Sequence, residues 1–119
     1  MIAVDDAGRV FLVRHGYGSG RWSLPGGGLG RSEDPQACAC REIREELGCA
    51  LERVTLAAQF DEVLDGGPHR AFVFTARFAG EPRADGREVI DSGWFALDAL
   101  PPDTVGFAKY RLELAFPSG

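Results

Sequence analysis

Glu42, Glu45 and Glu46 stand at i, i+3 and i+4. At about 100° per residue this spacing puts all three carboxylates on one face of a helix. Like charges so arranged repel by roughly a few tenths of a kcal/mol per pair, so a helix that keeps them implies cations to neutralise them. Oxygen-only donors suit a hard divalent ion, Mg²⁺ or Mn²⁺. Zinc is excluded, because neither His15 nor His69 has a Cys or His neighbour at zinc-ligand spacing. Arg41 adjoins the first glutamate, Glu33 lies eight residues before Arg41, and Gly27 opens a glycine-rich turn six residues before Glu33.

The stretch from Gly27 to Cys49 resembles the Nudix box, G-x5-E-x7-R-E-U-x-E-E-x-G-U with U aliphatic. Gly27, Glu33, Arg41, Glu42, Ile43, Glu45, Glu46 and Gly48 match at the right spacing, and Cys49 departs from the final aliphatic position. Cysteine is small and apolar, so that departure is mild. Trp22-Ser23-Leu24-Pro25-Gly26-Gly27 is similar to the usual entry to the box. Asp5 to His15 is similar to the family's opening hairpin, and Trp94-Phe95-Ala96-Leu97 with Leu100-Pro101 to its closing segment. The resemblance implies an α/β fold, an α/β/α sandwich with a mixed β-sheet flanked by helices. It also implies a hydrolase that cleaves a pyrophosphate bond in a nucleoside diphosphate linked to another group.

Such a reaction needs divalent ions to neutralise phosphate charge as water attacks phosphorus, a base and a rigid frame. Glu45 and Glu46 are the expected main metal ligands. Glu42, one turn earlier, either ligates a second ion or accepts a proton from the attacking water, and the sequence leaves both roles open. The resemblance suggests the Gly27 carbonyl as a further ligand, where a glycine lets the backbone approach the ion. It also implies that Arg41 and Glu33 brace the loop against the helix through a bidentate bond. The bland alternative is an exposed ion pair worth under about 1 kcal/mol. Many relatives carry a glutamate where this chain has Gly30 and a glycine where it has Ser32. These departures bear on the number of metals, not on the reaction.

Relatives often recruit a carboxylate from late in the chain. Glu88 is the best candidate, with Asp61, Glu62 and Asp91 as rivals. Arg14, His15 and Arg21 flank the loop before the glycine turn and could meet a polyphosphate. His69 and Arg70 begin a later strand and could do the same, although each of these five residues is more often a solvated surface charge. Trp22, Phe60 and Phe95 could stack on a base, but aromatics at strand positions commonly belong to the core. Cys38 and Cys40 fall on opposite helix faces and read as small buried packers, with a thiol near Glu42 as the alternative for Cys38.

The elements that must hold these residues are legible in outline. Ile2 to Val4 and Val10 to Val13 read as short strands joined by a turn at Asp5 to Gly8. The first begins at Met1, so either it is short or the true start lies upstream. Trp22 to Leu24 is a short strand. Asp34 reads as a helix N-cap with Pro35 in the first turn. The helix runs to Leu47 and ends at Gly48, and Cys40, Ile43 and Leu47 form its apolar stripe. Leu51 to Leu64 is a long, bent strand, followed by a turn at Asp65 to Pro68. His69 to Phe78 alternates as a strand, with Phe72, Phe74 and Ala76 on one face. Val89 to Leu97 is a strand region, and Thr104 to Phe116 a second helix.

The 119 residues suit one domain spanning 1–119. A net charge of −5 disfavours long nucleic acid and favours a small nucleotide as the partner. No apolar run is long enough for a transmembrane helix. The N-terminus does not read as a signal peptide, and three cysteines argue against a disulfide framework, so a cytoplasmic protein is expected. The chain reads as a monomer or a homodimer. A non-catalytic module of the same fold that senses a nucleotide is the alternative to an enzyme, although the full glutamate set argues against it.

Overall fold

The structure is a computed structural model that describes residues 1–16, 18–25, 34–64 and 67–117. Gly27, Gly30, Ser32, Glu33, the Asp65-Gly66 part of the expected turn and the side chain of His69 lie outside the described residues.

Strand β1 (Ile2–Ala3) leads to β2 (Val10–His15) and β3 (Trp22–Ser23). Helix α1 (Pro35–Leu47) follows, then β4 (Leu51–Leu64), β5 (Gly67–Phe78), β6 (Val89–Phe95) and helix α2 (Gly106–Ala115). The strands divide between two sheets. One is mixed, in the order β1-β5-β4, with β1 parallel and β4 antiparallel to β5. The other is antiparallel, in the order β3-β2-β6. The opening segment differs from a regular hairpin. β1 takes β5 as its partner, and one bridge, Val4 to Val10, joins it to β2 across the turn.

Side-chain alternation on β2 builds the layers. Val10 and Leu12 join Ile2, Leu24, Val73 and the α2 residues Ala108 and Leu112 in one core cluster. Phe11 and Val13 join Ala3, Val89 and the α1 residues Ile43 and Leu47 in the other. Each helix thus covers one side of the strand layer, which gives the expected α/β/α arrangement.

Local chemistry fixes α1 at both ends. The Asp34 carboxylate accepts from Ala37 N at 3.1 Å, and Pro35 occupies the first turn. Gly48, at φ 62°, closes the helix with its N–H donating to Arg44 O at 2.9 Å. One expectation is corrected within the helix. Cys38 is buried and Cys40 only half-buried, with the Arg41 guanidinium lying 3.8 Å from the Cys38 sulfur. Cys38 is thus the buried packer expected of it, whereas Cys40, expected in the apolar stripe, is not fully buried. β4 bends as expected: its pairing with β5 slips between Glu52 and Thr55 and between Leu56 and Ala58, and Arg53 adopts φ 54°.

Candidate active site

The three glutamates of α1 sit at graded depths. Their side chains are 3% (Glu46), 20% (Glu42) and 57% (Glu45) exposed. The order follows from the helical angle. Relative to the buried Ile43, Glu46 is about 60° around the helix, Glu42 about 100° and Glu45 about 160°. Glu46 therefore enters the seam between α1 and the sheets, while Glu45 faces solvent.

Each carboxylate has a cationic or polar neighbour. Arg41 Nη1 donates to both Glu45 oxygens, at 3.2 and 3.3 Å, and its Nη2 lies 3.5 Å from Glu42 Oε1. Arg41 thus bridges two glutamates of its own helix. Its expected partner Glu33 is outside the described residues. Glu46 Oε1 lies 3.0 Å from His15 Nε2. An ionised carboxylate only accepts, so the histidine N–H donates.

His15 reaches Glu46 because it continues the row Phe11, Val13, His15 that faces α1. Its end of the sheet is tightly held. His15 pairs with Val89 after a register shift, and Gly16 N donates to Glu88 O at 2.9 Å. A Cβ on Gly16 would stand 2.7 Å from Arg87 O, so only glycine fits there without displacement. The turn that leads into β6 is organised by Asp85, whose carboxylate accepts from Val89 N at 2.8 Å and Arg87 N at 2.9 Å. These backbone donors, Val89 first, hold the Asp85 carboxyl below its ordinary pKa.

The other expected residues are spread over the fold. Glu88 is exposed immediately before β6, at the strand end that pairs with His15. Arg14 and Arg21 point elsewhere. Arg14 Nε donates to Gly20 O at 3.0 Å and its guanidinium lies over Trp22. Arg21 donates to the carbonyls of Asp103 and Thr104, at 2.9 and 3.3 Å. Both arginines thus pin loops. Arg70 pairs with Asp61 at 2.7 Å and with Gln59 at 3.2 Å on the other sheet, and Glu62 turns to Arg111 of α2. Asp91 accepts from its neighbour Ser92 N. The aromatics have aromatic neighbours. Trp22 and Phe95 pack edge to face at 4.9 Å against the α2-side core, and Phe60 meets Tyr110 at 5.2 Å.

Among the described residues no three metal-capable side chains converge on one point. Glu42 and Glu46 nevertheless fit a divalent ion by type. They are hard oxygen donors one helical turn apart, at the boundary between core and solvent. Sequence reasoning grouped the glutamates but did not pair His15 with Glu46. The alternation Phe11-Val13-His15 is the signal that could have done so.

A family model for the NUDIX domain matches residues 1–115. The chain belongs to the Nudix family. The structure superposes on that of a MutT NUDIX hydrolase from Burkholderia pseudomallei with a TM-score of 0.81 and 38% sequence identity, over 95% of this chain and 93% of that one. It is 31% identical over 105 residues to an ADP-ribose pyrophosphatase from Mycobacterium tuberculosis, covering 82% of this chain and 51% of that protein. It is also 31% identical over 104 residues to an RNA pyrophosphohydrolase from Teredinibacter turnerae, covering 87% and 57%. The chain therefore spans little more than half the length of these two Nudix relatives.

Proposed function

We propose that this Nudix chain is a divalent-metal-dependent pyrophosphohydrolase acting on a small nucleoside diphosphate derivative. The observation that carries the reading is the intact glutamate set on α1, with Glu46 buried and hydrogen-bonded beside Glu42. A buried carboxylate costs several kcal/mol of desolvation, so holding one at this seam is better explained by use than by stability.

Glu46, Glu42 and Glu45 would hold Mg²⁺ or Mn²⁺, with the Gly27 carbonyl as a further donor. The bound ion would neutralise phosphate charge and lower the barrier to attack by water. Arg41 bridges Glu45 and Glu42 and orients both. Glu42, half-buried and next to Arg41, is the candidate to accept the proton of the attacking water. Glu88, exposed at the strand end beside His15, is the candidate accessory acid. Arg14, Arg21 and Arg70 have local partners, so a phosphate would have to compete for them.

The net charge of −5 favours small nucleotides as substrates. The relative named as an RNA pyrophosphohydrolase makes triphosphorylated RNA ends the second substrate class. All three cysteines are free, in keeping with a reducing cytoplasm, and no helix among the described residues is long and apolar enough to cross a membrane. Light scattering separates the monomer from the homodimer.

The test is phosphate release from a panel of nucleoside triphosphates, nucleotide sugars, dinucleoside polyphosphates and triphosphorylated RNA, with and without Mg²⁺. Turnover that needs Mg²⁺ and is lost in Glu46→Gln is expected. Binding of a nucleotide without any turnover would favour the sensing module.

A further inference from the structure

We infer that His15 is a positioning residue for the proposed metal site: it fixes the orientation of the Glu46 carboxylate before the ion arrives. The inference rests on the reading of Glu46 as a ligand and adds a residue outside the Gly27–Cys49 segment.

Glu46 and His15 are separated by 31 residues and meet at 3.0 Å, with both side chains largely withdrawn from solvent, at 3% and 15% exposed. A glutamate has three rotatable side-chain bonds and loses that freedom when it ligates. A hydrogen bond to one of its oxygens removes the freedom in advance. Such a bond is useful only if its donor is itself immobile, and the donor here is. His15 is the last residue of β2, in a row with the buried Phe11 and Val13. Immediately after it, the Gly16 N–H is bonded to Glu88 O, and the Gly16 α-carbon is pressed against Arg87 O so closely that a methyl group would not fit. The β2–β6 end therefore acts as a clamp on the imidazole, and the imidazole as a clamp on the carboxylate.

Stability alone is a poor reason for the pair. Buried ionic or strongly polar pairs are often replaceable by apolar residues at no loss of stability. A carboxylate that must be both buried and correctly aimed needs such a donor. Partners of this kind typically change metal affinity about 10- to 100-fold when removed.

Mn²⁺ titration of the full chain, followed by the electron paramagnetic resonance of the free ion, tests the inference. His15→Ala is expected to weaken Mn²⁺ binding about 10- to 100-fold. His15→Gln, whose amide N–H stands near the position of Nε2, recovers most of it. In a Glu46→Gln background His15→Ala adds no more than about a twofold change, because the histidine acts through that carboxylate. Equal affinities of the wild type and His15→Ala overturn the inference, as does an undiminished His15→Ala effect in Glu46→Gln. Should His15→Ala fail to fold by circular dichroism, Gln against the shorter Asn carries the comparison. Asn is expected to lose affinity, and parity of the two overturns the inference. A wild-type chain that binds no Mn²⁺ overturns the metal-dependent function itself, an outcome distinct from the others.

Discussion

A carboxylate at the depth of Glu46 and one at the surface such as Glu45 answer differently to the same substitution. Glu45 is paired with Arg41 at i,i+4 in the open, an arrangement worth well under about 1 kcal/mol. Glu45→Gln should leave the melting temperature nearly unchanged while lowering Mg²⁺-dependent turnover by about 100-fold or more, because a ligand charge is lost. Glu46→Gln should lose activity at least as far, and a far-UV spectrum like that of the wild type would show that the loss is chemical. Wild-type turnover in either variant removes that residue from the site. The two residues also show what a sequence can reveal at this scale. Helical spacing is local, so the glutamates and Arg41 are legible together. The His15 contact is not, because it depends on which side of β2 the helix covers. The local partners of Arg14 and Arg21 are hidden from the sequence for a related reason. Their side chains had backbone carbonyls within reach at Gly20, Asp103 and Thr104, and those acceptors appear only once the loops fold back.

At the scale of elements, what is decided within a turn of chain was readable and what is decided by distant pairing was not. Asp34, Pro35 and Gly48 announce the ends of α1 because capping chemistry is confined to a few residues. Asp34→Ala should cost about 1 kcal/mol and lower the melting temperature by about 4 °C, read by thermal unfolding. The parallel pairing of β1 with β5 and the split into two sheets joins residues more than seventy apart, such as Ile2 and Thr75, and leaves no local signature. The β6 end of the site gives a pH-dependent prediction. Asp85 has a folded pKa below its ordinary value because Val89 N and Arg87 N donate to it. Its contribution is therefore complete above the unfolded value and is lost as pH falls through the folded one. Asp85→Asn should lower stability at neutral pH, leave it nearly unchanged once the pH has fallen below the folded pKa of Asp85, and so flatten the acid side of the stability profile, as urea midpoints across pH would show. Gly16→Ala should loosen the same strand end, and faster amide exchange at Val89 and Gly16 would register it.

At the scale of the whole molecule, β2 is the shared wall of two cores. Leu12 faces α2 and Val13 faces α1, so neither layer can be lost without exposing the strand that closes the other. The two tryptophans report the layers separately, since Trp22 packs against the α2-side cluster and Trp94 against the α1-side cluster. This permits a direct test of whether the chain unfolds as one unit. In Trp22→Phe only the α1 side fluoresces through tryptophan, and in Trp94→Phe only the α2 side. Within each variant the fluorescence and far-UV transitions in urea should coincide, as a single cooperative domain requires. Ile43→Ala, which removes a fully buried side chain from the α1 side alone, should cost about 2–4 kcal/mol. That loss should move the midpoint seen by Trp22 on the far side as much as the one seen by Trp94. A shift confined to Trp94 would mean that the layer carrying the glutamates opens independently of the layer behind it. The geometry of the site would then be held by α1 and β2 alone, and not by the fold as a whole.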